Sequence, residues 1–186
     1  MSATPTDIDY ALLKRLAKGE QVALEELIRR HERRLYQLAY RLLKDPQETE
    51  DALQEVFLKA CENAGRFQPF STVKAWLNRI TANHCLNRLR ERVPQDSLDD
   101  EERAPQLPSR TANPLEALEE SDLAHRLEEL LATLPENQRR ALVLKRFGDL
   151  SYQEIAEIME TTPGAVDGLI KRARQYLRKA LAEYFA

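Results

Sequence analysis

The chain is 186 residues long, with 42% hydrophobic and 32% charged residues, which suits one medium or two small globular domains built from charge-laced helices. Five glycines and few β-branched runs argue against a large sheet, and no apolar stretch is long enough to span a membrane. The net charge of −3 is uneven: residues 1–93 hold 16 Lys and Arg against 13 Asp and Glu, residues 94–120 hold 2 against 8, and residues 121–186 hold 10 against 10.

Residues 1–93 read as a first helical domain of four helices. Met1 to Asp9 has neither a basic start nor an apolar core, so it is not a secretory signal, and the protein is expected in the cytoplasm. A short helix runs from about Ile8 to Lys18 and stops at Gly19. A longer helix places Leu24, Leu27, Ile28, His31, Leu35, Leu38, Ala39 and Leu42 on one face. The third opens with Asp45 as N-cap, Pro46 at the first helical position and Glu48 completing a capping box, then buries Ala52, Leu53, Val56, Phe57 and Ala60. After a Gly65–Phe70 loop with two aromatics, the fourth begins past Ser71 and buries Val73, Trp76, Leu77, Ile80 and His84 or Cys85.

Residues 94–120 contain Pro94, Pro105, Pro108, Pro114 and the run Asp99-Asp100-Glu101-Glu102, the composition of an extended acidic linker. Residues 121–186 form a second helical domain. Its first helix is expected to open at the cap sequence Asn113-Pro114-Leu115-Glu116, at the end of the linker, and to run through Leu118, Leu123, Leu127, Leu130 and Leu131; a second starts at Pro135 and stops at Gly148. Ser151-Tyr152-Gln153-Glu154 is a capping box that opens a third. Thr162-Pro163 then caps a last helix that turns Val166, Leu169, Ile170, Ala173 and Leu177 inward. The fold class is all-α, two small helical domains joined by a Pro-rich acidic linker.

Catalytic chemistry has no foothold in these elements. There is no nucleotide-binding glycine loop and no nucleophile elbow, so the chain is read as a non-enzyme without a cofactor or small-molecule substrate. His31, His84 and His125 are scattered and no metal site is expected. Cys61 and Cys85 both fall on apolar helix faces and are expected as buried, reduced thiols.

Ser151 to Arg178 has the form of a helix-turn-helix: a capped short helix, a small Ala156 at the crossing, a tight turn and a basic second helix. The outer face of that helix carries Asp167, Gly168, Lys171, Arg172, Arg174 and Arg178, of which Lys171 and Arg172 are best placed for phosphates or base edges. A second basic surface, on the fourth helix and its preceding loop, carries Lys74, Arg79, Asn83, Asn87, Arg88, Arg90 and Arg92 near Phe67, Phe70 and Trp76. Rings beside guanidinium groups suit unstacked single-stranded bases. The third helix has an acidic outer face of Glu48, Glu50, Asp51, Gln54 and Glu55, which repels phosphate and fits a protein partner or simple solvation.

These pieces in this order resemble a bacterial sigma factor of the extracytoplasmic function class, sigma-70 family. The resemblance rests on Asp45-Pro46 through Glu50-Asp51-Ala52-Leu53-Gln54-Glu55-Val56-Phe57, on Ala75-Trp76-Leu77-Asn78-Arg79-Ile80-Thr81-Ala82-Asn83, on Leu134-Pro135 with Gln138-Arg139, on Leu150 to Ala156 and on Lys171-Arg172-Ala173-Arg174. It implies that Glu48, Glu50, Asp51, Gln54, Glu55 and Phe57 dock on the β′ clamp helices of core RNA polymerase, with the β flap as a second contact. It implies that Arg66, Phe67, Phe70, Ser71, Lys74, Arg79, Asn83, Arg88 and Arg90 open the −10 element of promoter DNA and capture a flipped base. It implies that Ser151, Thr162, Gly164, Asp167, Gly168, Lys171, Arg172 and Arg174 read the −35 element as duplex. The linker would run toward the polymerase active centre, and a cognate anti-sigma factor is the expected regulator.

Two other readings stay open on the residues alone. A conventional dimeric helix-turn-helix regulator would bind palindromic duplex, although no heptad seam is visible. A pure protein-interaction module would tolerate charge reversal at Lys171 and Arg172. Within the resemblance, Asp167-Gly168-Leu169 departs from the basic or hydroxyl-bearing run usual after the valine matching Val166.

Overall fold

The computed structural model describes residues 8–68, 71–92 and 122–184, so the acidic linker and Phe70 lie outside the described residues. All regular elements among those residues are helical: α1 Ile8–Leu16, α2 Gln21–Leu43, α3 Pro46–Asn63, α4 Val73–Arg92, α5 Asp122–Ala132, α6 Glu136–Arg146, α7 Tyr152–Ile158 and α8 Pro163–Tyr184. A single 3-10 turn, Ala64–Arg66, follows α3.

In the first block α1 to α4 close around Leu12, Leu13, Leu16, Leu27, Leu35, Leu53, Phe57, Val73 and Leu77. Gly19 leaves α1 with φ +89, a conformation an L side chain resists. The buried Asp9 carboxylate ties α1 to α2, with Arg30 Nε at 2.6 Å and His31 Nε2 at 3.0 Å. That explains a histidine on the apolar stripe. Asp45 caps α3 by accepting from Glu48 N at 2.8 Å. The other half of the expected box is replaced, because the Glu48 carboxylate pairs with Arg92 of α4.

Two expectations about buried faces are corrected. Cys61 is exposed while Cys85 is buried. The α3 stripe runs Leu53, Val56, Phe57, Ala60 and on to Ala64, and Cys61 falls one position off it. On α4 the fully buried residues include Asn78, Thr81 and Ala82, whereas Trp76 and Ile80 are only partly covered. The face is rotated because α4 is covered twice, by its own block and by the second one.

The second block packs α5, α6 and α7 on the long α8, with Leu144, Leu150, Ile155 and Ile170 at full burial. Burying each such side chain contributes roughly 1.5–3 kcal/mol. α7 has a complete capping box: Ser151 Oγ accepts from Glu154 N at 3.2 Å, and Glu154 Oε2 accepts from Ser151 N at 2.8 Å. The turn into α8 is closed by Thr161 N donating to Ala156 O at 2.9 Å, with Glu160 at φ 55. Thr162 Oγ accepts from Ala165 N and starts α8.

The blocks share a seam. One buried cluster runs without a break from Leu38, Leu42, Ala82 and Cys85 to Leu134, Leu150 and Ile158. Arg139 of α6 is buried and donates to Arg41 O at 2.8 Å, while the Arg41 guanidinium lies 4.0 Å over the Phe147 ring and pairs with Glu128 at 2.6 Å. Asn78 Nδ2 of α4 donates to Gly148 O at 2.8 Å. A Cβ on Gly148 would lie 2.6 Å from Leu144 O, so only glycine fits there.

Candidate nucleic-acid and protein interfaces

α3 and α4 form a helical hairpin, and a cavity of about 340 Å³ opens between them beside the 3-10 turn. Its apolar wall is Phe67, Trp76 and Ile80, and its rim carries Lys59, Arg66, Asn83, His84 and Asn87. Phe67 meets Trp76 edge-on, centroids 5.3 Å apart, and touches Tyr10 at 6.0 Å. The rings are held by each other, half-buried, with one side facing the cavity. Thr72 fixes the start of α4 by accepting from Ala75 N at 3.1 Å, leaving Ser71 exposed. A wall of two crossed aromatic rings with donor groups around it is suited to a planar, acceptor-bearing group such as a nucleobase.

His84 sits under this rim. Lys59 Nζ donates to its Nδ1 at 2.8 Å, and its Nε2 lies 3.6 Å from Glu55 Oε2. Burial first, and the Lys59 charge second, hold the His84 pKa below its ordinary value. The ring is therefore neutral, with its proton on Nε2.

The basic residues of α4 divide by what they touch. Asn83 and Arg66 are exposed at the cavity. Arg88 is half-buried between helices, donating to Glu48 O at 3.2 Å with Glu55 at 3.8 Å, and acts as a strut. Lys74, Arg79 and Arg90 face the second block. Lys74 Nζ lies 3.6 Å from Asp149, Arg79 is 2.7 Å from Glu157, and Arg90 donates to Ile158 O at 2.6 Å with Glu160 at 3.3 Å. Three side chains expected on DNA are thus answered within the chain.

On α3 the outward face is Glu50, Asp51 and Gln54, with Leu58 one turn further on. Leu58 is 61% exposed, a large apolar side chain on an otherwise polar face, and the sequence reading did not single it out. Glu48 and Glu55 lean instead toward α4. Phe57 is 7% exposed: its ring belongs to the core and supports the helix from beneath, because it falls on the same stripe as Leu53 and Ala60.

α8 presents Lys171, Arg172 and Arg174 to solvent, and Thr162 and Gly164 are exposed at its start. Asp167 reaches Lys171 at 2.8 Å, one turn along, and Gly168 lies under the Arg172 guanidinium. Ser151 spends its hydroxyl on the cap, donating to Glu154 Oε2 at 2.7 Å. Among the described residues no group of His, Cys, Asp and Glu is placed to hold a metal, and no helix is long and apolar enough to cross a membrane.

Fold and surfaces define a two-block helical protein with a helix-turn-helix and a second, aromatic-lined basic surface. The pattern described as Sigma-70 region 2 matches residues 27–93, and that of Sigma-70 region 4 matches residues 124–177. The chain is 32% identical over 178 residues to the ECF RNA polymerase sigma factor SigW of Bacillus subtilis, covering 92% of this chain and 95% of the relative. It is 36% identical over 173 residues to the ECF RNA polymerase sigma factor SigE of Mycolicibacterium smegmatis, covering 90% of this chain but 66% of that longer relative. The solved structure of CnrH in complex with the cytosolic domain of CnrY superposes with a TM-score of 0.62 at 26% identity, covering 95% of this chain and 99% of that one. The chain belongs to the sigma-70 family as a sigma factor of the extracytoplasmic function (ECF) class.

Proposed function

We propose that the protein joins core RNA polymerase through the outward face of α3 and directs it to promoters read at two places. Asp51, Gln54 and Leu58 share one face of α3 at helical spacing, an apolar anchor ringed by polar groups, which suits a protein surface such as the β′ clamp helices. The cavity beside α4 takes an unpaired base of the −10 element, with Phe67 and Trp76 for its ring and Asn83 for its edge. Stacking and hydrogen bonding there offset part of the few kcal/mol that unpairing costs. α8 meets the −35 element as duplex through Lys171, Arg172 and Arg174.

The observation that carries this reading is the donor-rimmed aromatic cavity on the same chain as a basic helix-turn-helix. Two modest sites held at fixed spacing give specificity that neither has alone. Polymerase supplies all the chemistry, so the protein itself is no enzyme and acts in the cytoplasm. Residues 1–93 and 121–186 are the two working domains, with 94–120 as the acidic connection. An anti-sigma factor is the expected regulator, as CnrH is seen bound to the cytosolic domain of a second protein. Run-off transcription with core polymerase on a promoter library tests the reading. Specific initiation above that of core alone is expected, and no stimulation on any promoter overturns it.

A further inference from the structure

The geometry points to Tyr10 of α1 as a positioning residue for base capture: its ring holds Phe67 at the angle that makes the cavity wall. The placement rests on ring contacts within the chain. Its use in base capture rests on the cavity being the −10 site.

The wall is the end of a row of rings. Trp76 on α4 meets Phe67 edge-on with centroids 5.3 Å apart, and Phe67 in turn meets Tyr10 at 6.0 Å, tilted by 53°. Both separations lie in the range where aromatic quadrupoles favour crossed rings. Lys14, one turn on from Tyr10, places its Nζ 4.4 Å from the Tyr10 centroid and holds that ring by a cation–π contact. Phe67 and Trp76 line the cavity while Tyr10 stands outside its lining, so Tyr10 works from behind.

Phe67 needs this support. Its backbone closes the 3-10 turn through Phe67 N donating to Ala64 O at 3.4 Å, a long bond. A turn held so loosely leaves the ring's direction to the side chains it touches. α1, by contrast, is fixed in register one residue before Tyr10. Asp9 is 8% exposed and its carboxylate accepts from Arg30 Nε at 2.6 Å, with His31 Nε2 at 3.0 Å. Consecutive helix positions point about 100° apart, so Asp9 addresses α2 while Tyr10 addresses the turn after α3. α1 joins the core through Leu12, Leu13 and Leu16, all buried, whereas Tyr10 is only partly covered. The tyrosine is thus spent on Phe67 more than on the fold. A ring already in place when the base arrives costs no ordering at that moment.

The test uses holoenzyme assembled from the full chain, titrated with a labelled AT-rich single strand, together with near-ultraviolet circular dichroism of the full chain alone. Trp76 is the single tryptophan, so the tryptophan dichroism band reports its packing against Phe67. Tyr10→Leu is expected to weaken single-strand binding about two- to tenfold, the range for one aromatic pair, and to diminish the band. Tyr10→Phe, which keeps the ring, is expected to match wild type in both. In a Phe67→Leu background, Tyr10→Leu should add no further loss, because it acts through Phe67. Affinity for core polymerase and for −35 duplex should not change in Tyr10→Leu. Where Phe67→Leu itself weakens single-strand binding, three results overturn the positioning: undiminished binding in Tyr10→Leu, an equal loss in the Phe67→Leu background, or a parallel loss of core or duplex binding. Where Phe67→Leu leaves single-strand binding unchanged, the −10 reading of the cavity falls instead, and the tryptophan band decides the positioning. A band unaltered by Tyr10→Leu then overturns it, and a band diminished by leucine and restored by phenylalanine upholds it.

Discussion

Lys59 of α3 donates its ammonium to Nδ1 of His84 on α4, 2.8 Å away, and so fixes the tautomer of a ring beneath the base-sized cavity. An ammonium only donates, so the bond exists only while Nδ1 is unprotonated. Burial, Lys59 and Arg88 all favour the neutral ring, and Glu55 and Glu91 oppose them. With the folded value below that of the unfolded chain, about 6.5, the unfolded state binds the extra proton in the interval between them. This group's contribution is therefore complete above about pH 6.5 and declines as pH falls toward the folded value. Denaturant unfolding between pH 5 and 7 should show stability rising with pH, with a shallower slope in His84→Gln. In Lys59→Met the His84 ring resonances should titrate at higher pH than in wild type. An unmoved titration would remove Lys59 from the account.

Base capture and polymerase docking should separate by mutation. Asn83 stands exposed at the cavity rim, whereas Asp51 and Gln54 lie on α3 outside the cavity's lining. Asn83→Ala should weaken binding of a −10 single strand by holoenzyme about 10- to 100-fold, the range for one lost base contact. Its co-elution with core polymerase should stay intact. Asp51→Lys and Gln54→Ala should reduce co-elution before any DNA is added. Loss of core binding by Asn83→Ala would contradict the division of roles.

The two thiols report on the core directly. Cys61 is exposed, while Cys85 is fully buried and burial pushes its thiol up to about 12. Thiolate is the reacting form, so Cys85 is inert twice over near neutral pH. A chromogenic disulfide reagent at pH 8 should titrate one thiol per chain at once and the second only in denaturant. Two fast equivalents would mean that α4 is not packed as described.

Much of this fold was legible because it depends on neighbours in sequence. The caps at Asp45 and Ser151, the stop at Gly19 and the stripes of α2 and α3 follow from local hydrogen bonding and helical period. The seam was not legible. Asn78 and Gly148 are seventy residues apart, and no periodicity joins an asparagine on one helix to a carbonyl after another. The same omission hid the fate of Lys74, Arg79 and Arg90, whose charges suggested DNA while their partners sat in the other block. The clue was a misfit. Asn78 falls on the side of α4 that burial claims, and its amide finds its partner, Gly148 O, in the second block, whereas the Thr81 hydroxyl is answered by Leu77 O of its own helix.

Gly168 remains a misfit on α8, and it separates folding from recognition. A glycine in a helix interior costs about 1 kcal/mol relative to alanine. Nothing in the chain requires it: an added Cβ would meet the Arg172 guanidinium at 3.5 Å, an ordinary contact with the end of a flexible side chain. Gly168→Ala should therefore stabilise the protein, raising Tm by about 2–4 °C for a chain of this size. On the proposed −35 reading, the missing Cβ lets a phosphate or base edge approach the helix backbone once the flexible Arg172 side chain swings off it. The same substitution should weaken binding of −35 duplex severalfold in holoenzyme while leaving −10 single-strand binding unchanged. Thermal melts and fluorescence anisotropy on the two DNAs read both effects. A stabilised variant with undiminished duplex binding would show that DNA does not approach at Gly168, and would leave contact to Lys171, Arg172 and Arg174.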